Sequence, residues 1–150
     1  MGDRIEIHTD GGCTGNPGPG AWAFVIRSGP EKLERSGFEP LTTNNRMELT
    51  AVRRALEELA SHPQWKESAV TITTDSRYVQ KGITDWIHTW VKNGWKTSAK
   101  KPVKNAELWT ALWKLSRERA VEWNWVMGHS GDRWNEVCDR LVQEEIKRRA

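Results

Sequence analysis

The sequence predicts an α/β fold: a five-stranded mixed sheet, its first three strands antiparallel, with helices packed on its faces. Three observations carry this. Strand-like segments separated by turn clusters fill the first 38 residues. An amphipathic helical stretch then separates them from the β-branched run Val70-Thr71-Ile72-Thr73-Thr74, and strand, helix, strand in that order implies a parallel crossover. A later strand-like segment is followed by a final helical stretch, which adds a fifth strand and a covering helix. The 150 residues fit one domain, 1–150, with room for a core of useful size.

The first strand is set by Ile5 and Ile7 alternating with Glu6 and His8, the period-two pattern of a strand with one buried face. Asp10, Gly11 and Gly12 follow near its end, then the turn cluster Gly15-Asn16-Pro17-Gly18-Pro19-Gly20. The second strand is expected over Ala21 to Ser28 and the third over about Leu33 to Phe38, with Gly29-Pro30 as the tight turn between them. Asn45 and Glu48 stand three apart, as in a capping box, before Leu49, Val52, Leu56 and Leu59 at helical spacing. That helix is expected to run to about Ala60, and His62-Pro63 ends it; residues 60–68 read as a surface insertion. After the buried strand closed by Asp75, Ser76 to Lys81 reads as a short helix and Gly82 to Asn105 as irregular. Asn105 is expected to cap a helix bearing Leu108, Leu112 and Leu115. Val121 to Val126 is the fifth strand, Gly128-His129-Ser130-Gly131 a flexible loop, and a last helix from about Asp132 carries Val137, Cys138, Leu141, Val142 and Ile146.

Composition narrows the function classes. No apolar run is long enough to span a membrane, and the N-terminus lacks the apolar core of a signal peptide. Two cysteines, Cys13 and Cys138, make no disulfide framework, so a reducing, cytoplasmic setting and a monomer are expected. The net charge is +3 and the pI about 9.0, a small excess whose placement matters more than its size. Lys81, Lys92, Lys96, Lys100, Lys101 and Lys104 fall in one segment opposed by a single acid, Asp85, and Trp86, Trp90 and Trp95 interleave with them. Basic and aromatic residues in a protrusion suit tracking of a nucleic-acid backbone with stacking; a solvated charge run over core tryptophans is the plainer alternative.

Four carboxylates abut apolar stretches: Asp10 at a strand end, Glu48 early in a helix, Asp75 closing a buried strand and Asp139 beside Cys138. Unpaired charge in such places is costly, and several carboxylates together raise one another's pKa unless a cation lies between them. Hard oxygen ligands suit magnesium or manganese, and no Cys/His spacing suggests zinc. Taken singly, Asp10 and Asp75 also fit turns, Glu48 a helix dipole and Asp139 a solvated position; spacing alone does not bring the four together.

Thr9-Asp10-Gly11, Asn16-Pro17-Gly18-Pro19-Gly20, Thr43-Asn44-Asn45-Arg46-Met47-Glu48, Thr74-Asp75-Ser76-x-Tyr78, Gly128-His129-x-Gly131 and Asn135-x-x-Cys138-Asp139 occur in that order. With Trp86-Ile87-His88 and the run from Gly94 to Asn105, they span nearly the whole chain, which resembles type 1 ribonuclease H of the bacterial kind. The resemblance implies the ribonuclease-H fold and endonucleolytic hydrolysis of the RNA strand of an RNA–DNA hybrid, leaving 5′-phosphate and 3′-hydroxyl ends. It implies Asp10, Glu48, Asp75 and Asp139 as metal-binding catalytic residues and His129 as an auxiliary residue; in a two-metal reading of the site Asp10 is assigned as the bridging ligand. Two Mg2+ ions about 4 Å apart flank the scissile phosphate in such a site, with Mn2+ a possible substitute. Binding of both ions is expected only with substrate present.

For the substrate, the backbone of Gly11, Gly12 and Cys13 and the side chains of Asn16, Asn44 and Asn45 are candidates to read the 2′-hydroxyl or adjoining phosphates. The resemblance associates Thr43 and Asn16 with a pocket for a DNA-strand phosphate. It also makes the segment at about 81–105 a basic handle, with Trp86, Trp90, Lys92, Trp95, Lys96, Lys100 and Lys101 as contacts. Binding should be largely sequence-independent, since phosphates and sugars carry little base information. Two departures stand out: Arg77 where family members often carry glutamine, a further candidate contact, and Asp132-Arg133-Trp134 in place of a His-Pro-containing stretch. No separate hybrid-binding domain is seen, so processivity would rest on this domain alone. A DNA-directed nuclease of the same fold and a catalytically inactive hybrid-binding module remain as rivals.

Overall fold

The computed structural model describes residues 4–128 and 131–149. In chain order the elements are β1 (Ile5–Cys13), β2 (Gly18–Ser28), β3 (Glu31–Thr42), α1 (Asn44–Ser61), a 3-10 turn (Pro63–Trp65), β4 (Val70–Thr74), α2 (Arg77–Lys81), a π-helical turn (Gly82–Trp86), α3 (Ile87–Lys92), α4 (Ala106–Ser116), β5 (Val121–Trp125) and α5 (Arg133–Arg149). The strands form one sheet in the order β3-β2-β1-β4-β5. β1, β2 and β3 are antiparallel, whereas β4 runs parallel to both β1 and β5. This is the mixed five-stranded sheet expected from the sequence.

Side-chain alternation assigns the two faces. Ile5, Ile7, Phe24, Ile26 and Ile72 pack with Leu49, Val52, Leu56 and Leu59 of α1 in the main core. On the other face the small side chains Ala21 and Ala23 leave room for Val142 and Ile146 of α5. β2 is therefore apolar on both faces through its centre, and its sequence reads as a continuous run. Cys138 of α5 is buried and donates from Sγ to the His8 carbonyl at 3.3 Å, which ties α5 to β1.

Several boundaries differ from expectation. β1 does not stop at Asp10: Gly11, Gly12 and Cys13 stay paired with Trp22, Ala21 and Gly20 of β2. β3 is longer at both ends, because as an edge strand its charged residues need no alternation to remain paired with β2. The capping box is absent. Thr43, not Asn45, is the N-cap of α1; its hydroxyl accepts from Arg46 N at 3.2 Å, and Glu48 is engaged elsewhere. Asn105 occupies the N-cap position of α4 but adopts φ 59° and makes no side-chain cap. Its amide instead accepts from Arg46 and donates to Tyr78 Oη. Asp132 ends the loop before α5 and caps it, accepting from Asn135 N at 2.9 Å.

The stretch after Lys81 is more regular than its sequence suggests. α2 passes through the π-helical turn into α3 without interruption. Gly82 opens that turn against Trp109 of α4, where a Cβ would lie 2.0 Å from the indole ring. Only 93–105 is irregular, closed by a bridge between Lys96 and Pro102. The 60–68 connection is no mere surface insertion: Trp65 is buried in the main core, and Arg119 clamps the backbone by donating to the carbonyls of Trp65 and Ser68. Among the described residues no helix is long and apolar enough to cross a membrane.

Candidate metal and nucleic-acid site

Parallel pairing of β1 and β4 begins the site. The register runs from Ile5 opposite Val70 to Thr9 opposite Thr74, so the next residues along the two strands are Asp10 and Asp75. The third carboxylate comes from α1. Gly11 lies so close to that helix that a Cβ would sit 2.3 Å from the Met47 carbonyl carbon, and its N–H donates to Glu48 Oε1 at 2.6 Å. A carboxylate oxygen from each of Asp10, Glu48 and Asp75 lies within 4.8 Å of the other two. Asp75 is held from both sides. Trp125 Nε1 donates to its carbonyl at 3.0 Å, and the missing side chain of Gly128 leaves space for its carboxylate, which a Cβ would approach to 2.9 Å.

The electrostatics follow from crowding. Asp10 and Glu48 are 6% and 8% exposed, too dry to carry two free negative charges. Burial pushes Asp10 up to about 8, and repulsion from Asp75 adds to it. Burial likewise raises Glu48, with Asp10 and Asp75 as further causes. Glu48 Oε2 is buried and receives no hydrogen bond among the described residues. Its acidic neighbours offer no donor unless protonated, so a cation suits the vacant lone pairs. An all-carboxylate donor set fits a hard divalent ion rather than zinc.

Asp139 lies in α5 and is half-buried. Its charge raises Asp10, yet it does not join the tight group of three. The structure thus brings together three of the four carboxylates singled out in the sequence and sets the fourth alongside. His129 lies outside the described residues.

The asparagines form a connected rim. Asn44 Oδ1 accepts from Cys13 N at 2.9 Å, and Asn16 Oδ1 accepts from Asn44 N at 3.1 Å. These bonds tie the loop after β1 to the start of α1, next to Asp10-Gly11-Gly12. Neither Asn16 nor Asn44 has a partner for its side-chain NH2 among the described residues, which leaves donors at the site's edge. A cleft of about 430 Å³ opens beside them, lined by Asn16, Pro17, Thr43, Asn45, Arg46, Tyr78, Lys104 and Asn105. Arg46, Tyr78, Lys104 and Asn105 are not among the site residues that the sequence singles out. Arg46 and Tyr78 occur there only within the ordered motifs, Asn105 only as a helix cap and Lys104 only in the lysine run.

The basic segment splits into two kinds of residue. Lys92, Lys96, Lys100 and Lys101 are exposed, as is Trp86 at 39%. Trp90 and Trp95 are half-buried and pack against the main core, Trp90 with its ring 5.4 Å from that of Trp109. Those two tryptophans therefore anchor the protrusion before they can touch a ligand. A second cleft of about 430 Å³ opens there, lined by Tyr78, Trp90, Thr97, Lys101, Pro102, Val103 and Lys104. Arg77, also exposed, lies over the Trp125 ring.

Comparison with known proteins bears on this arrangement. The RNase H family model matches residues 2–147. The chain is 51% identical over 159 residues to the ribonuclease H of Treponema pallidum subsp. pallidum, covering 97% of this chain and 92% of that protein. It is 53% identical over 145 residues to the ribonuclease H of Dechloromonas aromatica (strain RCB), covering 97% and 95%. Among solved structures, LC9-RNase H1 superposes with a TM-score of 0.86 at 30% identity, covering all of this chain and 75% of that one. LC11-RNase H1, crystallised in complex with an RNA/DNA hybrid, superposes with a TM-score of 0.75 at 27% identity, covering 97% and 98%. An acidic group of this kind on that fold implies dependence on a divalent metal. Ordered motifs, sheet topology, carboxylate geometry and these likenesses agree: the chain belongs to the ribonuclease H family.

Proposed function

We propose that the protein hydrolyses the RNA strand of RNA–DNA hybrids, releasing 5′-phosphate and 3′-hydroxyl ends with little regard to sequence. The observation that carries this reading is the meeting of Asp10, Glu48 and Asp75 oxygens at one buried spot on a ribonuclease H fold. The hybrid bound by LC11-RNase H1 supports the choice of substrate.

Asp10, Glu48, Asp75 and Asp139 would hold two magnesium ions, and manganese would be an acceptable substitute. Bound there, the ions supply a lowered water pKa and neutralise charge at the leaving 3′-oxygen. The chain's own groups position the substrate. The side-chain NH2 groups of Asn16 and Asn44, without a partner among the described residues, with Asn45 and the backbone of Gly11 to Cys13, would face the RNA 2′-hydroxyl and adjoining phosphates. Thr43 and Asn16, joined by Arg46 and Lys104 in the neighbouring cleft, receive a phosphate of the DNA strand. Residues 81–105 act as a handle: Lys92, Lys96, Lys100 and Lys101 follow the backbone, Trp86 stacks, and Trp90 and Trp95 keep the handle in place. His129 aids proton transfer or product departure. The protein is expected to work as a monomer and one domain in a reducing cytoplasm; its two cysteines, both free, support that setting.

The test uses end-labelled RNA–DNA hybrid, duplex DNA and duplex RNA, with magnesium and with chelator. Magnesium-dependent cutting confined to the RNA strand of the hybrid is the expected result. Cutting of duplex DNA, or hybrid binding without scission, overturns the reading.

A further inference from the structure

Arg77 and Trp125 form a contact that lies outside the carboxylate group yet touches it. Arg77 opens α2, two residues beyond Asp75, and is exposed. Its guanidinium carbon lies 4.2 Å from the centre of the Trp125 ring, the shortest cation–aromatic contact among the described residues. Trp125 is paired opposite Thr74 at the end of β5, and its Nε1 donates to the Asp75 carbonyl at 3.0 Å. One indole therefore fixes the backbone of a metal-binding carboxylate by its edge and a free cation by its face.

Arg77 makes no ion pair and no hydrogen bond among the described residues. Its charge is thus not consumed by an ion pair with Asp75, which stands two residues before it, nor with Asp10 or Glu48. A guanidinium resting on an indole keeps its N–H donors and gives up side-chain freedom in advance. Such a planar, forked donor suits an anion that accepts through two oxygens, as a phosphodiester does. We propose that Trp125 is a positioning residue that holds Arg77 beside the carboxylate site as a contact for a phosphate of the substrate backbone. This rests on the hybrid-cleaving reading and adds a residue pair to it.

A phosphate contact has a signature that packing lacks. Each phosphate neutralised steepens the dependence of log affinity on log salt by about 0.7–0.9. The test follows binding of a fluorescent RNA–DNA hybrid by anisotropy in chelator, across about 50 to 200 mM salt as the range in which such slopes are read. Arg77→Gln is expected to weaken binding about three- to tenfold at low salt and to flatten the slope by about one contact. Trp125→Leu keeps every charge, yet is expected to flatten the slope by the same amount because Arg77 is no longer held. Trp125→Phe gives up the N–H but keeps a face, and should retain the parent slope. The double variant Arg77→Gln/Trp125→Leu should lose nothing more.

A parent slope in Arg77→Gln overturns the proposal whatever the fate of Trp125→Leu, including its failure to fold. A parent slope in folded Trp125→Leu overturns the positioning role. Altered cleavage-site preference in Arg77→Gln with an unchanged slope indicates a base-edge contact and overturns the phosphate assignment. A parent protein that fails to bind the hybrid at all refutes the underlying reading, whereas a binding parent beside an unaffected Arg77→Gln refutes only this inference.

Discussion

Asp10 answers to more of its surroundings than any other side chain of the site. Burial and the charges of Asp75 and Asp139 oppose its ionisation, while Glu48 and the Gly11 N–H favour it. A carboxylate so placed is either protonated or shared with cations, and replacing it by the isosteric amide removes the second option without opening a cavity. Asp10→Asn is therefore expected to leave the fold intact by near-ultraviolet circular dichroism. It should lower single-turnover cleavage of a hybrid by at least about 1,000-fold, which corresponds to about 4 kcal/mol of barrier. Activity within about tenfold of the parent would remove Asp10 from the centre of the chemistry. At this scale the sequence is informative where a charge interrupts an apolar run, as at Asp10, Glu48 and Asp75. It is silent where a residue has two uses. Thr43 caps α1 and also lines the cleft, so that Asn45 looks the better cap from the sequence. Tyr78 packs against Trp109 and also presents its hydroxyl to that cleft, accepting from Trp109 Nε1 and Asn105 Nδ2.

The elements matter through two close approaches. The first is β1 against α1 at Gly11. A methyl group there would meet the Met47 carbonyl carbon at 2.3 Å and Glu48 N at 2.5 Å, both backbone atoms inside a helix that cannot yield cheaply. Gly11→Ala must push α1 off the sheet or bend β1, and either movement carries Glu48 away from Asp10. We expect a loss of about 2–4 kcal/mol in urea unfolding, within the range of severe steric substitutions. Activity should fall as well, even though no ligand atom has been removed. A variant as stable and active as the parent would show that the approach is not needed. The glycine pair is visible in the sequence as a place for close approach, but its partner is not, because β1 and α1 are far apart along the chain. The same holds for the meeting of Asp10 and Asp75. Each strand is legible from its own pattern, whereas their adjacency is a property of parallel register. The second approach, Gly82 against Trp109, hides the π-helical turn for a different reason: the glycine reads as a helix breaker until the indole is known to lie against it.

For the molecule as a whole, the buried carboxylates make stability depend on pH and on metal together. Asp10 ordinarily titrates at 3.8 and is raised in the native state to about 8, and Glu48 is raised from 4.5 as well. Between the unfolded and folded values the native protein binds more protons than the unfolded chain. Stability contributed by the protonated groups is thus complete below about pH 4 and is lost as pH rises through about 8. His8 works in the opposite sense at acid pH, since burial lowers its imidazole below the usual 6.5 and native stability gains as that group deprotonates in the unfolded chain. The carboxylate contribution is therefore best isolated as the parent minus Asp10→Asn. In chelator this difference in Tm is expected to move against the parent between about pH 5 and pH 8. A domain of this size changes by about 2–4 °C per kcal/mol. Divalent cation should reverse the trend, because it binds the ionised carboxylates and so stabilises most where the metal-free protein is weakest. At a magnesium concentration about 100-fold above its dissociation constant the gain is about 2.7 kcal/mol. Differential scanning calorimetry at the two pH values, with magnesium and with chelator, supplies the check. Equal magnesium stabilisation at about pH 5 and pH 8, or equal stabilisation of the parent and Asp10→Asn, would mean that the ion binds somewhere other than these three side chains.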